Sequence, residues 1–114
     1  MEPDDFTRDG PWPTARFDGW QLRVLAADEP GPVDFEVVEN DGRVWGGTAA
    51  TIDQIRGLMD RWRGSGECLG GRYLWVTSLV VVRDLSPDEI AVVVRDLIQT
   101  GDIVHALSPL EPRP

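Results

Sequence analysis

The sequence predicts an α+β fold, with a mostly antiparallel sheet of four to five strands and two helices packed on one face. Apolar and polar residues alternate before Asp41-Gly42, and an apolar stretch follows it, which predicts two strands joined by a tight hairpin. Capping residues at Thr51 and Ser86, each followed by apolar residues at three- and four-residue spacing, predict two helices. Because several strands precede the first helix, the element order favours α+β over a doubly wound parallel sheet.

Length and composition predict the domain organisation. The chain has 114 residues, which is enough for one hydrophobic core. Residues 1–18 combine prolines with acidic side chains and show no sustained apolar period, so we predict a flexible acidic tail there. Residues 19–110 are the predicted single α+β domain.

The strands are predicted from their side-chain patterns. WQLRVLAA and VDFEVV are typical of half-buried strands, and the return strand of the hairpin contains Gly46 and Gly47, which indicate a bulge or a close backbone approach. YLWVTSLVVV, residues 73–82, is apolar on both faces in its second half and predicts a long central strand, bent at Thr77-Ser78. Residues 102–107 predict a short edge strand.

The helices are predicted from their ends and their apolar faces. Thr51 and Gln54 match a capping box, and Gly64 is the predicted end of the first helix. Ser86 followed by proline begins the second helix, which is predicted to end at Gly101. Their predicted core faces comprise Ile52, Ile55, Leu58, Met59 and Trp62 in the first helix, and Ile90, Val93, Val94, Leu97 and Ile98 in the second.

Charge and composition exclude several classes of partner. Twenty acidic residues outnumber eleven basic ones, all arginine, and give a net charge of -9. Such a surface repels phosphate backbones and anionic lipids, so we expect neither nucleic acid nor membrane as a partner. We find no signal-peptide pattern and no apolar run near the ~20 residues that cross a bilayer, and expect a cytoplasmic protein. The single cysteine rules out an internal disulfide.

The glycine-rich stretch GSGECLGGRYLW, residues 64–75, favours a turn between a helix and a strand. A phosphate-binding loop needs a lysine, which this stretch lacks. Cys68 would act as a nucleophile only beside a base, and His105 is the only histidine; the two also fall short of a structural zinc site. We therefore expect no catalytic residue, metal or cofactor, and keep an enzyme using Cys68 and His105, or a small-ligand-binding protein, as the alternative.

Two groups of residues are candidates for binding a protein partner. Four carboxylates gather on or near the hairpin, where they lack the spacing of a calcium loop and would form either a solvated sheet face or a docking surface for a cationic partner. Two aromatic residues share a face of the predicted strand 73–82 and are the candidate interaction hot spot. The predicted partner-binding residues are Asp34, Glu36, Glu39, Asp41, Tyr73 and Trp75.

The chain from Gly46 to Leu107 resembles a group of small bacterial α+β proteins to which no activity is assigned. The motifs that carry the resemblance are Gly47-Thr48, Thr51 to Ile55, Gly66-Glu67-Cys68 and Tyr73-Leu74-Trp75. The chain departs from the pattern at Leu74, where an aromatic residue is usual, and at Thr77-Ser78, which replaces a more polar pair. Immunity proteins of bacterial toxin systems share this size and acidity, which is an analogy of class and not of motif.

These observations predict a non-enzymatic protein-interaction module. Its most specific form is an immunity-like inhibitor that binds a basic toxin or another cationic protein. A further hypothesis is homo-oligomer formation through the face that carries Tyr73 and Trp75.

Overall fold

Six strands form one sheet in the computed structural model, which describes residues 14–17, 19–25 and 32–110. The strands are β1 Thr14–Phe17, β2 Trp20–Val24, β3 Val33–Val38, β4 Val44–Ala50, β5 Leu79–Val81 and β6 Ser108–Leu110. They are arranged in the order β1-β2-β3-β4-β5, and β6 also pairs with β4. Every pair is antiparallel except β4 with β5, which is parallel. The helical segments between these two strands in the chain provide the crossover connection that a parallel pair requires. The predicted α+β class with a mostly antiparallel sheet is confirmed.

Strand β4 is the centre of this arrangement. One of its edges pairs with β3 over the full length of that strand. Its other edge is shared, because β6 pairs with Val44–Gly46 and β5 pairs with Thr48–Ala50. The hydroxyl groups of Ser78 and Ser108 are hydrogen-bonded where the two short strands meet.

The core lies on the face of the sheet that the apolar alternation predicts. Leu22 and Val24 of β2 pair with Val37 and Phe35 of β3, and all four are buried. The remaining buried apolar residues of the cluster are Ala15, Trp45, Ala49, Val82, Ile90, Ala91, Val94, Ile103 and Leu107.

Four helical segments accompany the sheet in the described part of the chain: α1 Ile52–Ser65, α2 Glu67–Gly71, α3 Pro87–Thr100 and α4 Ile103–Ala106. The predicted capping box of α1 is present, with Thr51 and Gln54 each bonded to the other's backbone amide. Ser86 caps α3 in the predicted manner, and Gly101 ends it. The two predicted helices differ in their role, because α3 supplies three core residues whereas no residue of α1 is buried.

The structure corrects four boundaries. Thr14–Phe17, part of the predicted tail, forms a strand because it pairs along the exposed edge of β2; residues 1–13 and 18 lie outside the described residues. Helix α1 continues past Gly64 to Ser65 and is capped by Gly66, which has the left-handed φ of 84°. The predicted long strand 73–82 is wrong, since only Leu79–Val81 pairs with β4.

The fourth correction concerns residues 102–107. They were predicted as an edge strand but form α4, and the strand follows at Ser108–Leu110. Ile103 and Leu107 are buried while His105 between them is exposed, which fits a helix, because in a strand all three side chains would lie on one face. With β1 and β6 added, the sheet has six strands instead of four or five.

Candidate protein-interaction site

The glycine-rich stretch forms a left-handed turn directly after α1. Cys68, Leu69 and Gly70 have φ/ψ values of 49°/49°, 55°/44° and 71°/32°, and Gly71 follows with φ 82°. A side chain in this conformation crowds its own carbonyl group, at a cost of roughly 1–2 kcal/mol for each non-glycine residue. Two residues, Cys68 and Leu69, therefore hold a strained backbone, a feature that is often found at functional sites.

Gly71 anchors this turn to α1. A Cβ atom at this position would lie 1.9 Å from the backbone oxygen of Met59, so only glycine permits the close approach of the two segments. The turn is thus fixed against the backbone of α1, although none of its residues is buried.

Three large apolar side chains project from the turn and from the loop that follows it. Trp75 is 82% exposed, Leu69 is 72% exposed and Tyr73 is 49% exposed. Tyr73 and Trp75 were predicted to share a strand face, but they lie in the irregular segment before β5. Leu69 was not predicted as a contact residue. The sequence signal for its exposure was its position beside Gly70 and Gly71, where it belongs to no apolar period of a helix or strand.

The outer side of α1 also remains uncovered by the described residues. A groove of about 310 Å³ runs along it, lined by Ile52, Ile55, Met59 and Gly71 together with Arg56, Asp60 and Arg63. Ile52, which was predicted to face the core, is 64% exposed. The apolar face of α1 therefore does not join the main core cluster.

The hairpin carboxylates do not form one exposed group. Asp34 is exposed and accepts a 2.8 Å hydrogen bond from the Thr48 hydroxyl. Glu36 is only 4% exposed and lies between Arg23 and Gly46 of the neighbouring strands. Its burial does not fit the predicted docking role, because a partner could not reach the carboxylate.

The other two carboxylates act within the hairpin loop. Glu39 accepts a 2.9 Å hydrogen bond from the indole nitrogen of Trp45. Asp41 is exposed, accepts a 3.0 Å hydrogen bond from the amide of Arg43 and lies 3.5 Å from its guanidinium group. Both carboxylates stabilise the loop that the Asp41-Gly42 pair predicted.

A second depression lies beside this loop. It has a volume of about 490 Å³ and is lined by Arg16, Gly19, Trp20, Gln21, Val38, Glu39 and Asn40. The lining residues come from the β1–β2 turn, the β3–β4 loop and the strand ends beside them. It contains neither Cys68 nor His105.

Cys68 and His105 lie on separate parts of the fold. Cys68 is in α2, which packs on α1, whereas His105 is in α4, which packs on α3 and β6. Among the described residues, no hydrogen bond joins the two side chains. Neither residue belongs to a group of three metal-ligating side chains within the described ranges.

Charge is distributed unevenly along the sequence. Residues 51–75, which include α1, α2 and the start of the loop that contains Tyr73 and Trp75, carry four arginines and three acidic residues. The rest of the chain carries seven arginines and seventeen acidic residues. The segment with the exposed aromatic residues therefore has a net charge of +1, whereas the rest of the chain has a net charge of -10.

None of the described helices is long and apolar enough to span a bilayer. No protein-family model matches the chain, and neither a curated protein nor a solved structure matches it. The resemblance to small bacterial α+β proteins stays a prediction.

Proposed function

We propose that this protein is a non-enzymatic interaction module that binds a cationic protein, with an immunity-like inhibitor of a basic toxin as the most specific form. The observation that carries the proposal is the exposure of Trp75, at 82% of its surface. Tryptophan and tyrosine dominate the binding energy of many protein interfaces, and large exposed apolar groups that lie together mark interaction sites. Leu69 and Tyr73, which precede Trp75 by six and two residues in the sequence, are further exposed apolar side chains.

The position of these side chains supports the same interpretation. Leu69 is presented by a strained turn that Gly71 fixes against α1, and Tyr73 and Trp75 follow shortly after this turn in the chain. A fixed segment loses little conformational entropy when it binds, so the strain is offset by pre-organisation of the contact surface.

The charge of the protein supports a cationic partner. A net charge of -9 accelerates encounter with a basic protein and disfavours acidic ones. We assign the apolar contact to Leu69, Tyr73 and Trp75. The long-range attraction comes from the acidic remainder of the chain, with Asp34 and Asp41 as its exposed members on the hairpin.

A capture experiment tests the proposal. The protein, immobilised and incubated with an extract of its native cells or with the product of the adjacent gene, should retain one basic protein in stoichiometric amount. Salt should weaken the complex, because the attraction between opposite charges is screened. Background binding alone at low salt would show that the proposal is wrong.

Two variants separate the proposed contact from a general loss of stability. Trp75→Ala should weaken the complex by about 2 kcal/mol or more, as expected for an interface hot spot. Val92→Ala, at a half-exposed position on α3, is the matched control and should bind like the wild type. Equal binding by Trp75→Ala and Val92→Ala would show that Trp75 does not contribute to the interface.

A further inference from the structure

The charged residues on the groove side of α1 alternate in sign, so that a second copy of the helix running antiparallel would place an opposite charge against each of them. Asp53, Arg56, Asp60 and Arg63 are separated by three, four and three residues, so they form one stripe along the helix. In a second copy running in the opposite direction, with Leu58 at the crossing level, Asp53 faces Arg63 and Arg56 faces Asp60. Each residue then meets the opposite charge.

These charges remain accessible to a second copy. Within one helix, Asp53 with Arg56 and Asp60 with Arg63 form ion pairs of 3.9 Å, at the long end of the range. The four side chains are 63–93% exposed. Intrahelical pairing therefore does not withdraw them from solvent.

The groove along α1 combines apolar residues with three charged residues of the stripe, Arg56, Asp60 and Arg63. Ile52, Ile55 and Met59 line it, and no residue of α1 is buried. Met59 is one residue from the crossing level, so the two copies of Met59 would lie within about 3 Å of each other along the helix direction. The apolar groups would meet at the centre of the contact while the charges align along its side.

We propose that the chain forms a symmetric dimer in which α1 pairs antiparallel with α1 of a second copy. A two-fold axis repeats each contact, so the two kinds of charge pair occur twice. A parallel two-fold arrangement would place the stripes of the two copies on opposite sides of the contact, where the charges of one copy do not meet those of the other. The dimer does not depend on the proposed function, since Trp75 lies outside α1.

Two double variants with unchanged net charge test the pairing. Arg56→Asp with Asp60→Arg keeps both intermolecular pairs opposite in sign, although it places like charges at the three-residue spacings within the helix. Asp60→Arg with Arg63→Asp keeps the two intrahelical ion pairs at three-residue spacing opposite in sign, and places like charges only at the four-residue spacing from Arg56. Between the copies it sets like charges against each other. The first variant carries two like-charged pairs within the helix and the second carries one, so intrahelical repulsion alone would disfavour the first variant more. A weaker dimer of the second variant can therefore be attributed to contacts between the copies.

The measurement is sedimentation equilibrium over a wide range of protein concentration, with circular dichroism to confirm folding. The wild type and Arg56→Asp/Asp60→Arg should dimerise with similar affinity, whereas Asp60→Arg/Arg63→Asp should dimerise about tenfold more weakly or not at all. Met59→Lys, which places two like charges near the axis, should also weaken the dimer and covers the case in which a double variant fails to fold. A wild type that stays monomeric, or two double variants of equal affinity, would overturn the proposal.

Discussion

The indole nitrogen of Trp45 donates a 2.9 Å hydrogen bond to a carboxylate oxygen of Glu39, across the loop that joins β3 and β4. Trp45 is only 8% exposed, and its side chain belongs to the core cluster. The amide of Glu39 also donates a 2.7 Å hydrogen bond to the carbonyl oxygen of Arg43. Glu39 therefore links the two ends of the hairpin loop through its backbone amide, and binds the core residue Trp45 through its side chain.

Replacing Glu39 tests this role. Glu39→Ala should lower the free energy of unfolding by about 1–2 kcal/mol, because the largely buried indole N–H loses its acceptor. Glu39→Gln retains an acceptor oxygen and should cost less. Urea denaturation followed by circular dichroism measures both, and an alanine variant as stable as the wild type would contradict the assigned role.

The two neighbouring glycines of β4 should respond differently to alanine. A Cβ atom at Gly47 would lie 2.6 Å from a Leu107 methyl carbon and 2.8 Å from the Phe35 ring, both in buried side chains. Overpacking of this kind typically costs about 1–3 kcal/mol. At Gly46 the new atom would meet Leu110, which is 41% exposed and has room to move. Thermal unfolding should show a clear loss for Gly47→Ala and a smaller one for Gly46→Ala; the reverse order would contradict the packing.

Gly71→Ala should detach the left-handed turn from α1. The methyl group would collide with the Met59 carbonyl, and φ at this position is 82°. Because neither α1 nor α2 contributes a buried residue, we expect faster hydrogen exchange in these segments and a smaller effect on global unfolding. Gly57→Ala, in open space within α1, is the matched control and should slow exchange there, since alanine favours a helix by about 1 kcal/mol. Unchanged exchange in Gly71→Ala would show that the close contact is absent.

Leu69 offers a test of the strained backbone itself. Leu69→Gly should stabilise the turn relative to Leu69→Ala by about 1 kcal/mol, because glycine adopts the left-handed conformation without the crowding of a Cβ atom. Both variants remove the same exposed side chain. Protection of the α2 amides against hydrogen exchange should therefore be higher in the glycine variant; higher protection in the alanine variant would argue against the left-handed geometry.

The separation of Cys68 from His105 gives a prediction about reactivity. Alkylation of Cys68 by iodoacetamide at neutral pH should proceed at the rate of an ordinary, partly exposed thiol. His105→Ala should leave that rate unchanged, because no hydrogen bond connects the two residues in the described structure. A fast rate that falls in His105→Ala would instead favour the enzyme hypothesis.

The starts of helices and the tight hairpin turn are determined by residues that are close in sequence, and these features were predicted correctly. The capping residues Thr51 and Ser86 marked the starts of α1 and α3, and Asp41-Gly42 marked the hairpin. The apolar strand face that includes Leu22 and Phe35 was predicted correctly because alternation reflects burial on one side of a sheet.

Features that depend on distant parts of the chain could not be predicted in this way. Residues 73–82 have the composition of a strand, but β6 occupies part of the β4 edge and leaves only Thr48–Ala50 for pairing with β5. Ser78, with φ 58°, turns the chain just before that short contact. The exposure of Trp75 and the burial of Glu36 likewise depend on which elements cover them, and residue type alone does not specify this.

The division of the β4 edge has a consequence for solubility. An unpaired strand edge is a template for the growth of intermolecular sheets, and natural proteins cover or interrupt such edges. Ser108–Leu110 covers Val44–Gly46, the half of the edge that β5 leaves open. If this short segment were detached, the backbone groups of Val44–Gly46 would be free to pair with a strand of another chain.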